Sequence, residues 1–318
     1  MLLDLIDYLY ALSLDKDIRK PNRLKFIPRN IIKYLVNIIV PYYYRITKFF
    51  YRLTPNENPE YVLSLTSFPA RIASLHIVIE SLIRQKKKPD RLILWLSNEQ
   101  FDGEKSLPPS LLEQKKRGLE IRFVDDDLRP HKKYFYAMQE FPYANIITID
   151  DDIFYPPKLI EYLVMTHKRY PYCICCNRAI RYTLSNGILK SYLDWDVVNK
   201  NTDVEPNFRL LPTGVGGVLY PSDSLNKDYL FNTNIIKQTC LYGDDLWLNL
   251  MARLKSTKTV ISGKRIGLIP VLSTMKSALS TNNIYNGNDT QINRLIDYFG
   301  SETYMKHLKT KNQVYERN

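Results

Sequence analysis

A short apolar run followed directly by three aspartates constrains this chain more than any other feature. The stretch from Asn145 to Pro157 reads NIITIDDDIFYPP. Its first five residues are largely β-branched, as in a strand that is covered on both faces in the middle of a parallel sheet. The prolines at its end prevent further strand pairing. Because alternate residues of extended backbone share a face, we expect Asp150 and Asp152 to point together and Asp151 to point away.

Two carboxylates on one side of a strand end repel each other unless a positive charge lies between them. A hard divalent cation with oxygen ligands, carrying the phosphates of a substrate, would satisfy both. We therefore predict a divalent-cation site, for Mn²⁺ or Mg²⁺, at Asp150 and Asp152. The alternative is an acidic surface turn without a ligand.

The composition is that of a globular protein with ample length for one large core. The chain has 318 residues, of which 45% are hydrophobic and 25% charged. Asp4 and Asp7 stand where a secretion signal would carry positive charge, so we predict no such signal. Three of the four cysteines crowd into residues 172–176 without a zinc spacing, which favours buried reduced thiols. These features indicate a cytoplasmic protein, either free or peripheral on the inner face of the cell membrane.

The net charge of +12 is concentrated near the N-terminus. Residues 19–53 hold nine Lys or Arg and no acid. Within them Pro41 divides an aromatic, basic stretch into two short pieces. Such a segment can lie in the headgroup layer of an anionic membrane, or it can form helices that pack on the main domain. No nucleic-acid-binding module accompanies the charge, so we expect no nucleic-acid partner.

Strands and helices alternate after residue 60. The pattern predicts strands at 61–65, 91–96, 120–124 and 145–149, with helical segments between them. This order implies right-handed crossovers and an α/β fold with a mostly parallel sheet and helices on both faces. In such sheets ligands bind beyond the carboxyl ends of the strands. Thr66 and the triplet Asp125–Asp127 follow two of these strands, so we expect them near Asp150.

Two later motifs add to the predicted site. The glycines of Gly214–Gly217 indicate backbone that approaches a ligand closely or adopts positive φ, with a plain tight turn as the alternative. Asp244 and Asp245 follow Gly243 and open a helix. One of the two can act as an N-terminal cap stabilised by the helix dipole, which leaves the other for chemistry.

From about residue 60 to residue 300 the chain resembles bacterial glycosyltransferases of the GT-A type that build surface polysaccharides such as capsules. The resemblance does not cover the first 53 residues or the tail. It rests on the order and spacing of Ser64–Pro69 with Arg71, Asp126, Lys132–Lys133, Asp150–Ile153 with Tyr155–Pro156, Gly214–Pro221, Gly243–Leu248, and Asn288–Asp289 with Gln291.

The resemblance implies a GT-A-like catalytic domain over residues 54–305, preceded by a basic aromatic segment, 1–53, and followed by a basic tail, 306–318. It implies a hexosyltransferase that takes a sugar from a nucleotide diphosphate sugar, in first place a UDP-sugar. The acceptor would be a saccharide or a lipid-linked saccharide. The implied cofactor is a divalent cation, Mn²⁺ or Mg²⁺.

The resemblance also assigns roles to individual residues. Asp152 would ligate the metal directly, with Asp150 at the metal shell or the ribose. Asp245 would be the general base and Asp244 would orient the acceptor, although which carboxylate takes the proton is open. The remaining implied positions are the nucleotide-sugar pocket, with Thr66, Phe68, Arg71, Asp126 on the base, Lys132 or Lys133 on the phosphates, and Asp151, and the donor and acceptor loop, with Gly216, Gly217 and Trp247.

These residue types suit glycosyl transfer by inversion. A base must remove the proton of the acceptor hydroxyl, and a cation must stabilise the departing diphosphate. Retention of configuration stays open, because the motif does not encode the stereochemistry. Two other functions compete. One is a metal-dependent nucleotidyltransferase or phosphotransferase, and the other is a non-catalytic membrane adaptor driven by residues 19–53.

Overall fold

The computed structural model of the protein describes residues 2–12, 23–198, 205–277 and 287–309. The strands in these ranges are β1 (Tyr61–Thr66), β2 (Arg91–Ser97), β3 (Leu119–Val124), β4 (Asn145–Thr148), β5 (Ile153–Phe154), β6 (Ile174–Cys176), β7 (Ala179–Arg181), β8 (Leu184–Ser185), β9 (Ile188–Leu189), β10 (Asp196–Val198), β11 (Leu210–Pro212), β12 (Val218–Tyr220), β13 (Thr259–Ile261) and β14 (Ile269–Pro270). The helices are α1 (Leu2–Leu12), α2 (Arg23–Thr47), α3 (Pro69–Ile72), α4 (Leu75–Ile83), α5 (Pro109–Lys115), α6 (Lys132–Glu140), α7 (Leu159–Arg169), α8 (Lys227–Leu230), α9 (Thr233–Thr239), α10 (Asp244–Leu254), α11 (Asn288–Phe299) and α12 (Ser301–Met305).

The central sheet has seven strands in the order β13-β6-β12-β4-β1-β2-β3. Each neighbouring pair is parallel except the two pairs that involve β12, which runs antiparallel to both β4 and β6. The helices between the first strands carry the chain back to the starting edge, which makes those strands parallel. The predicted α/β architecture, a mostly parallel sheet with flanking helices, is therefore confirmed.

Both faces of the sheet are covered, which explains the continuous apolar runs of its strands. Leu63 and Leu65 of β1 belong to a core cluster that includes residues of α4 and α7. Val62, which precedes Leu63, belongs to a second cluster that contains Ala137 of α6. Alternate residues of a strand point to opposite faces, so a strand buried on both sides is apolar at most of its positions.

The N-terminal segment packs on this domain as two helices. The prediction that Pro41 separates two short pieces is wrong, because α2 continues through Pro28 and Pro41. Val36, Val40 and Tyr44 of α2 are buried in the main core cluster. This packing on the body outweighs the local preference of proline to end a helix.

The C-terminal residues and the cysteines were also described by the sequence analysis. The predicted tail, 306–318, begins with packed residues, since Leu308 is buried; residues 310–318 lie outside the described ranges. The four cysteines are free thiols, and all but Cys173 are buried. Across the described helices, none combines the length and the apolarity that crossing a bilayer requires.

Candidate active site

The sheet register brings several polar segments to one edge. Ser64 of β1 pairs with Thr148 of β4, and Val218 of β12 pairs with both Thr148 and Cys176 of β6. Because β12 is antiparallel, the residues that precede Val218 lie at the same edge as the residues that follow Thr148 and Cys176. The aspartates after β4, the polar residues after β6 and the glycine-rich segment before β12 therefore converge.

A cleft of about 970 Å³ opens at this edge. Small-molecule sites typically have volumes of roughly 300–1,000 Å³. The lining is rich in charges of both signs, and polar groups that converge in a large cleft mark a candidate active site. Its charged residues are Arg71, Arg129, Lys132, Lys133, Arg178, Lys264, Arg265, Asp127, Asp150, Asp151, Asp152, Asp244 and Asp245.

The first acidic set occupies a bend between β4 and β5. Arg71 forms ion pairs with Asp151 and, at 3.1 Å, with Asp152. Asp151 also accepts a hydrogen bond from the Ser67 hydroxyl at 2.6 Å. Burial raises the pKa of Asp151, and Arg71 and Ser67 oppose that shift. Asp151 is thus buried, and its ion pair with Arg71 holds that guanidinium in the lining of the cleft.

The second acidic set begins α10. The backbone amide of Gly214 donates to both carboxylate oxygens of Asp245, at 3.1 and 3.2 Å. Burial and the neighbouring charge of Asp244 raise the pKa of Asp245 well above its usual range. Asp244 is only 7% exposed, whereas Asp245 is half-buried. Asp245 is therefore the carboxylate of this pair that is better placed to take up a proton from a molecule in the cleft.

Lys133 joins the two acidic sets. Its ammonium nitrogen lies 2.8 Å from Asp150 Oδ1 and 2.8 Å from Asp244 Oδ2. Burial alone would lower the pKa of Lys133, but Asp150, Asp244 and Asp245 outweigh it and raise that pKa well above its usual range. The side chain is therefore a permanent cation, and it fixes the distance between the carboxylates that follow β4 and those that open α10.

The carboxylate oxygens of Asp150 and Asp152 are suited to a divalent cation that is bound together with a phosphate ligand. Burial and the charge of Asp150 raise the pKa of Asp152 to about 7, although Arg71 opposes the shift. The charge of Asp150 thus repels that of Asp152, and a bound cation would offset this repulsion. Within the described ranges no group of three or more His, Cys, Asp or Glu side chains could hold a metal on its own. A magnesium-like ion with one or two carboxylates completes its shell with phosphate oxygens and water, which agrees with this pair.

Most of the predicted pocket residues line the cleft. Thr66, Phe68, Arg71, Lys132 and Lys133 all do so. The Thr66 hydroxyl donates to the Trp95 carbonyl at 2.8 Å, and the Phe68 ring centroid lies 5.3 Å from the Arg71 guanidinium. The two lysines are not free for phosphates in this arrangement, because Lys132 is paired with Asp127 and Lys133 with the acidic sets.

Four predicted residues lie outside the cleft. Asp126 is about half exposed and faces Lys237 at 3.6 Å. Trp247 is fully buried, and its indole nitrogen donates to the Leu230 carbonyl at 3.2 Å. A Cβ on Gly216 would come within 2.7 Å of Arg178 Cβ, and Gly217 has φ 75° against Leu159 and Leu163. These two glycines therefore serve packing behind the wall of the cleft.

Of two important lining residues, Arg178 was not predicted, and Asp127 was predicted only as a member of its triplet. Arg178, two positions beyond β6, donates to the Thr213 hydroxyl at 2.8 Å, and burial lowers its pKa. The rule that polar groups follow the carboxyl ends of strands could have found it. Asp127, the third member of its acidic triplet, takes the place expected of Asp126, because Arg129 and Lys132 hold its side chain at the cleft.

No protein-family model matches the sequence, and no curated protein matches it. Among solved structures, residues 1–349 of S. aureus TarS are similar at 11% identity and a TM-score of 0.49, over 78% of this chain and 70% of that one. The same fragment in complex with UDP-GlcNAc gives 12% and 0.42, over 75% and 67%. A UTP-bound UGPase from Acinetobacter baumannii gives 10% and 0.37, over 74% and 97%. Likeness at this level does not carry an activity from one protein to another.

Proposed function

We propose that this protein is a glycosyltransferase that moves a sugar from a UDP-sugar to a hydroxyl group of a saccharide or lipid-linked saccharide. The reaction would be metal-dependent, would invert the anomeric centre and would serve surface polysaccharide synthesis on the cytoplasmic side of the membrane. One observation carries the proposal: a single cleft holds two separate carboxylate sets, and the buried cation Lys133 lies 2.8 Å from each.

The carboxylates after β4 form the donor side. Asp150 and Asp152 would hold the divalent cation, which when bound offsets the charge of the leaving diphosphate. Arg71, paired with Asp152 at 3.1 Å, limits the repulsion between these carboxylates before the donor arrives. Thr66 and Phe68 also line the cleft and would contact the nucleoside.

The carboxylates of α10 form the acceptor side. Asp245, with a raised pKa and an amide of Gly214 on its oxygens, would accept the proton of the attacking hydroxyl. As that oxygen bonds to the anomeric carbon, the bond from the anomeric carbon to the diphosphate breaks and UDP leaves. Asp244 lies beside it at the cleft and would orient the acceptor while holding Lys133. This division of labour needs no nucleophilic Ser, Cys or His.

The decisive experiment identifies the nucleotide product. We would incubate the protein with UDP-sugars and GDP-sugars and with Mn²⁺ or Mg²⁺, and measure both nucleotide diphosphate and pyrophosphate. A glycosyltransferase releases UDP or GDP, whereas a nucleotidyltransferase produces or consumes pyrophosphate. Pyrophosphate chemistry without release of a nucleotide diphosphate would contradict the proposal.

The metal site is tested by binding. Asp152→Asn should abolish metal-dependent UDP binding in calorimetry, because it removes one of two anionic ligands of the cation. Asp297→Asn, at an exposed position of α11, is the matched control and should bind UDP like the wild type. Unchanged metal-dependent binding by Asp152→Asn would show that the cation, if one is used, lies elsewhere.

A further inference from the structure

The outward face of α2 is apolar along most of the helix. The large side chains on it recur every three or four residues, so they form one stripe. The helix also buries Val36, Val40 and Tyr44 against the body, so it has two apolar faces. The exposed stripe consists of Ile27, Ile31, Tyr34, Ile38, Tyr42 and Ile46. A solvent-facing stripe of this kind marks an interaction surface.

Exposed apolar side chains also lie at both ends of the segment. After α2 the chain turns, and Phe49 and Phe50 are 82% and 83% exposed. In α1, which packs against α2, the exposed large residues Leu5, Tyr8 and Leu12 also recur on one face. These exposed aromatic and aliphatic side chains are removed from water only when another molecule binds over them.

The charges of α2 and of residues 48–53 are all positive, and one of them, Lys48, is paired with Glu113 of the body at 2.5 Å. Residues 23–53 contain Lys and Arg but no acid. The two acids of α1 point to the body: Asp4 pairs with Lys86 at 2.8 Å, and Asp7 accepts a hydrogen bond from the Gly267 amide. Arg45 is exposed among the apolar residues. The surface therefore offers apolar side chains and positive charge, with its negative charges engaged elsewhere.

We propose that α1, α2 and Phe49–Phe50 form a docking surface for an anionic phospholipid bilayer. The helices would lie in the plane of the interface, with the apolar stripe among the acyl chains and the cations at the headgroups. A second copy of this chain fits less well, because two identical surfaces would bring like charges together. This inference does not depend on the proposed glycosyl transfer.

The test measures binding of the full chain to vesicles. We would compare phosphatidylcholine vesicles with vesicles that also contain phosphatidylglycerol, by co-sedimentation at low and high salt. The wild type should bind the anionic vesicles and should release as salt rises, since salt screens the headgroup attraction. The double variant Phe49→Ser/Phe50→Ser should bind about tenfold more weakly or worse.

A matched control distinguishes binding through this surface from nonspecific adsorption through other exposed apolar side chains. Tyr172 and Ile188 are 88% and 73% exposed and lie outside the N-terminal segment. The double variant Tyr172→Ser/Ile188→Ser should bind anionic vesicles like the wild type. Both pairs are exposed, so thermal unfolding should be unchanged in either variant, and this is checked by circular dichroism.

Several results would overturn the inference. One is failure of the wild type to bind anionic vesicles, and another is equal binding to both kinds of vesicle. A third is unchanged binding by the Phe49→Ser/Phe50→Ser variant. A concentration-dependent dimer that this variant abolishes, without vesicle binding by the wild type, would assign the surface to a second copy of the chain.

Discussion

The Gly214 amide donates to both carboxylate oxygens of Asp245, at 3.1 and 3.2 Å. This hydrogen bond orients the Asp245 carboxylate, which lies in the first turn of α10. A Cβ on residue 214 would lie 2.8 Å from both Asp150 Oδ1 and Lys133 Nζ, so a larger residue would displace the ends of these two paired side chains. The close approach of this backbone therefore fixes the acid that we assign as the base relative to the other charged groups.

Asp245→Asn should remove turnover and leave donor binding intact. The amide is nearly the same size and keeps an oxygen for the Gly214 N–H, but it cannot take up a proton. A positioned base contributes about 10²- to 10⁴-fold to the rate, so we expect a loss of kcat of that order. UDP release gives kcat, and calorimetry gives the affinity for UDP. Full activity of this variant would exclude Asp245 as the base.

Lys133→Met should destabilise the protein strongly. The substitution leaves Asp150, Asp244 and Asp245 without their shared cation, and removal of one partner of a buried ion pair costs about 3–5 kcal/mol. Urea unfolding of the metal-free protein measures the change in the free energy of unfolding. The double variant Lys133→Met/Asp244→Asn should recover part of the loss, because it removes one of the uncompensated charges. A double variant less stable than Lys133→Met would contradict the role of Lys133 as the bridge.

Predictions from the sequence agree with the structure where the course of the backbone alone determines the position of a residue. Four predicted strands are present, and the cleft contains Thr66 and Asp150, which the strand-end rule predicted, together with the two aspartates that begin α10. This works because apolar runs identify buried strands, and parallel strands place their carboxyl ends at one edge.

The predicted and observed positions differ where the contacts of a side chain determine its position. Asp126 and Asp127 are adjacent residues of one type, and the ion pairs of Asp127 with Arg129 and Lys132 determine that its side chain lies at the cleft. Trp247 is on the buried side of α10 with Leu250 and Met251, as helical periodicity predicts, whereas the resemblance implied a place at the donor and acceptor loop. Pro41 stays helical because α2 is anchored by tertiary packing. The Pro41 outcome depends on contacts distant in sequence, and the Asp127 outcome depends on ion pairs with residues nearby in the chain.

Asn37→Ala should loosen a wall of the cleft. The Asn37 side chain donates to the Pro270 carbonyl at 3.0 Å and accepts from the Leu272 amide at 2.8 Å. Leu272 begins the turn Leu272–Ser277, whose Thr274 lines the cleft. Loss of two part-buried hydrogen bonds should cost about 1–2 kcal/mol in the free energy of unfolding. Asn30→Ala in the same helix is the control, since it makes the same change in helix propensity. Equal stabilities of the two variants would contradict this contact.

The last prediction concerns acid stability and His131. This side chain is fully buried, with Nε2 2.8 Å from the Cys240 carbonyl and Nδ1 2.9 Å from the Tyr134 hydroxyl. These partners fit a neutral ring that donates from Nε2 and accepts at Nδ1. Burial lowers the pKa of His131 to about 4. The unfolded chain binds this proton more readily, so His131 removes stability as pH falls from about 6.5 to about 4.

His131→Gln tests this linkage, because glutamine can donate to the same carbonyl but does not titrate. Between about pH 7 and about pH 4 the wild type should lose roughly 3 kcal/mol more of its free energy of unfolding than the variant loses. Urea unfolding at several pH values measures both curves. The comparison cancels the opposite contribution of carboxylates with raised pKa values, such as Asp152, because both proteins contain them. Parallel curves would mean that His131 is protonated in the folded protein, and the neutral ring assigned to it would be wrong.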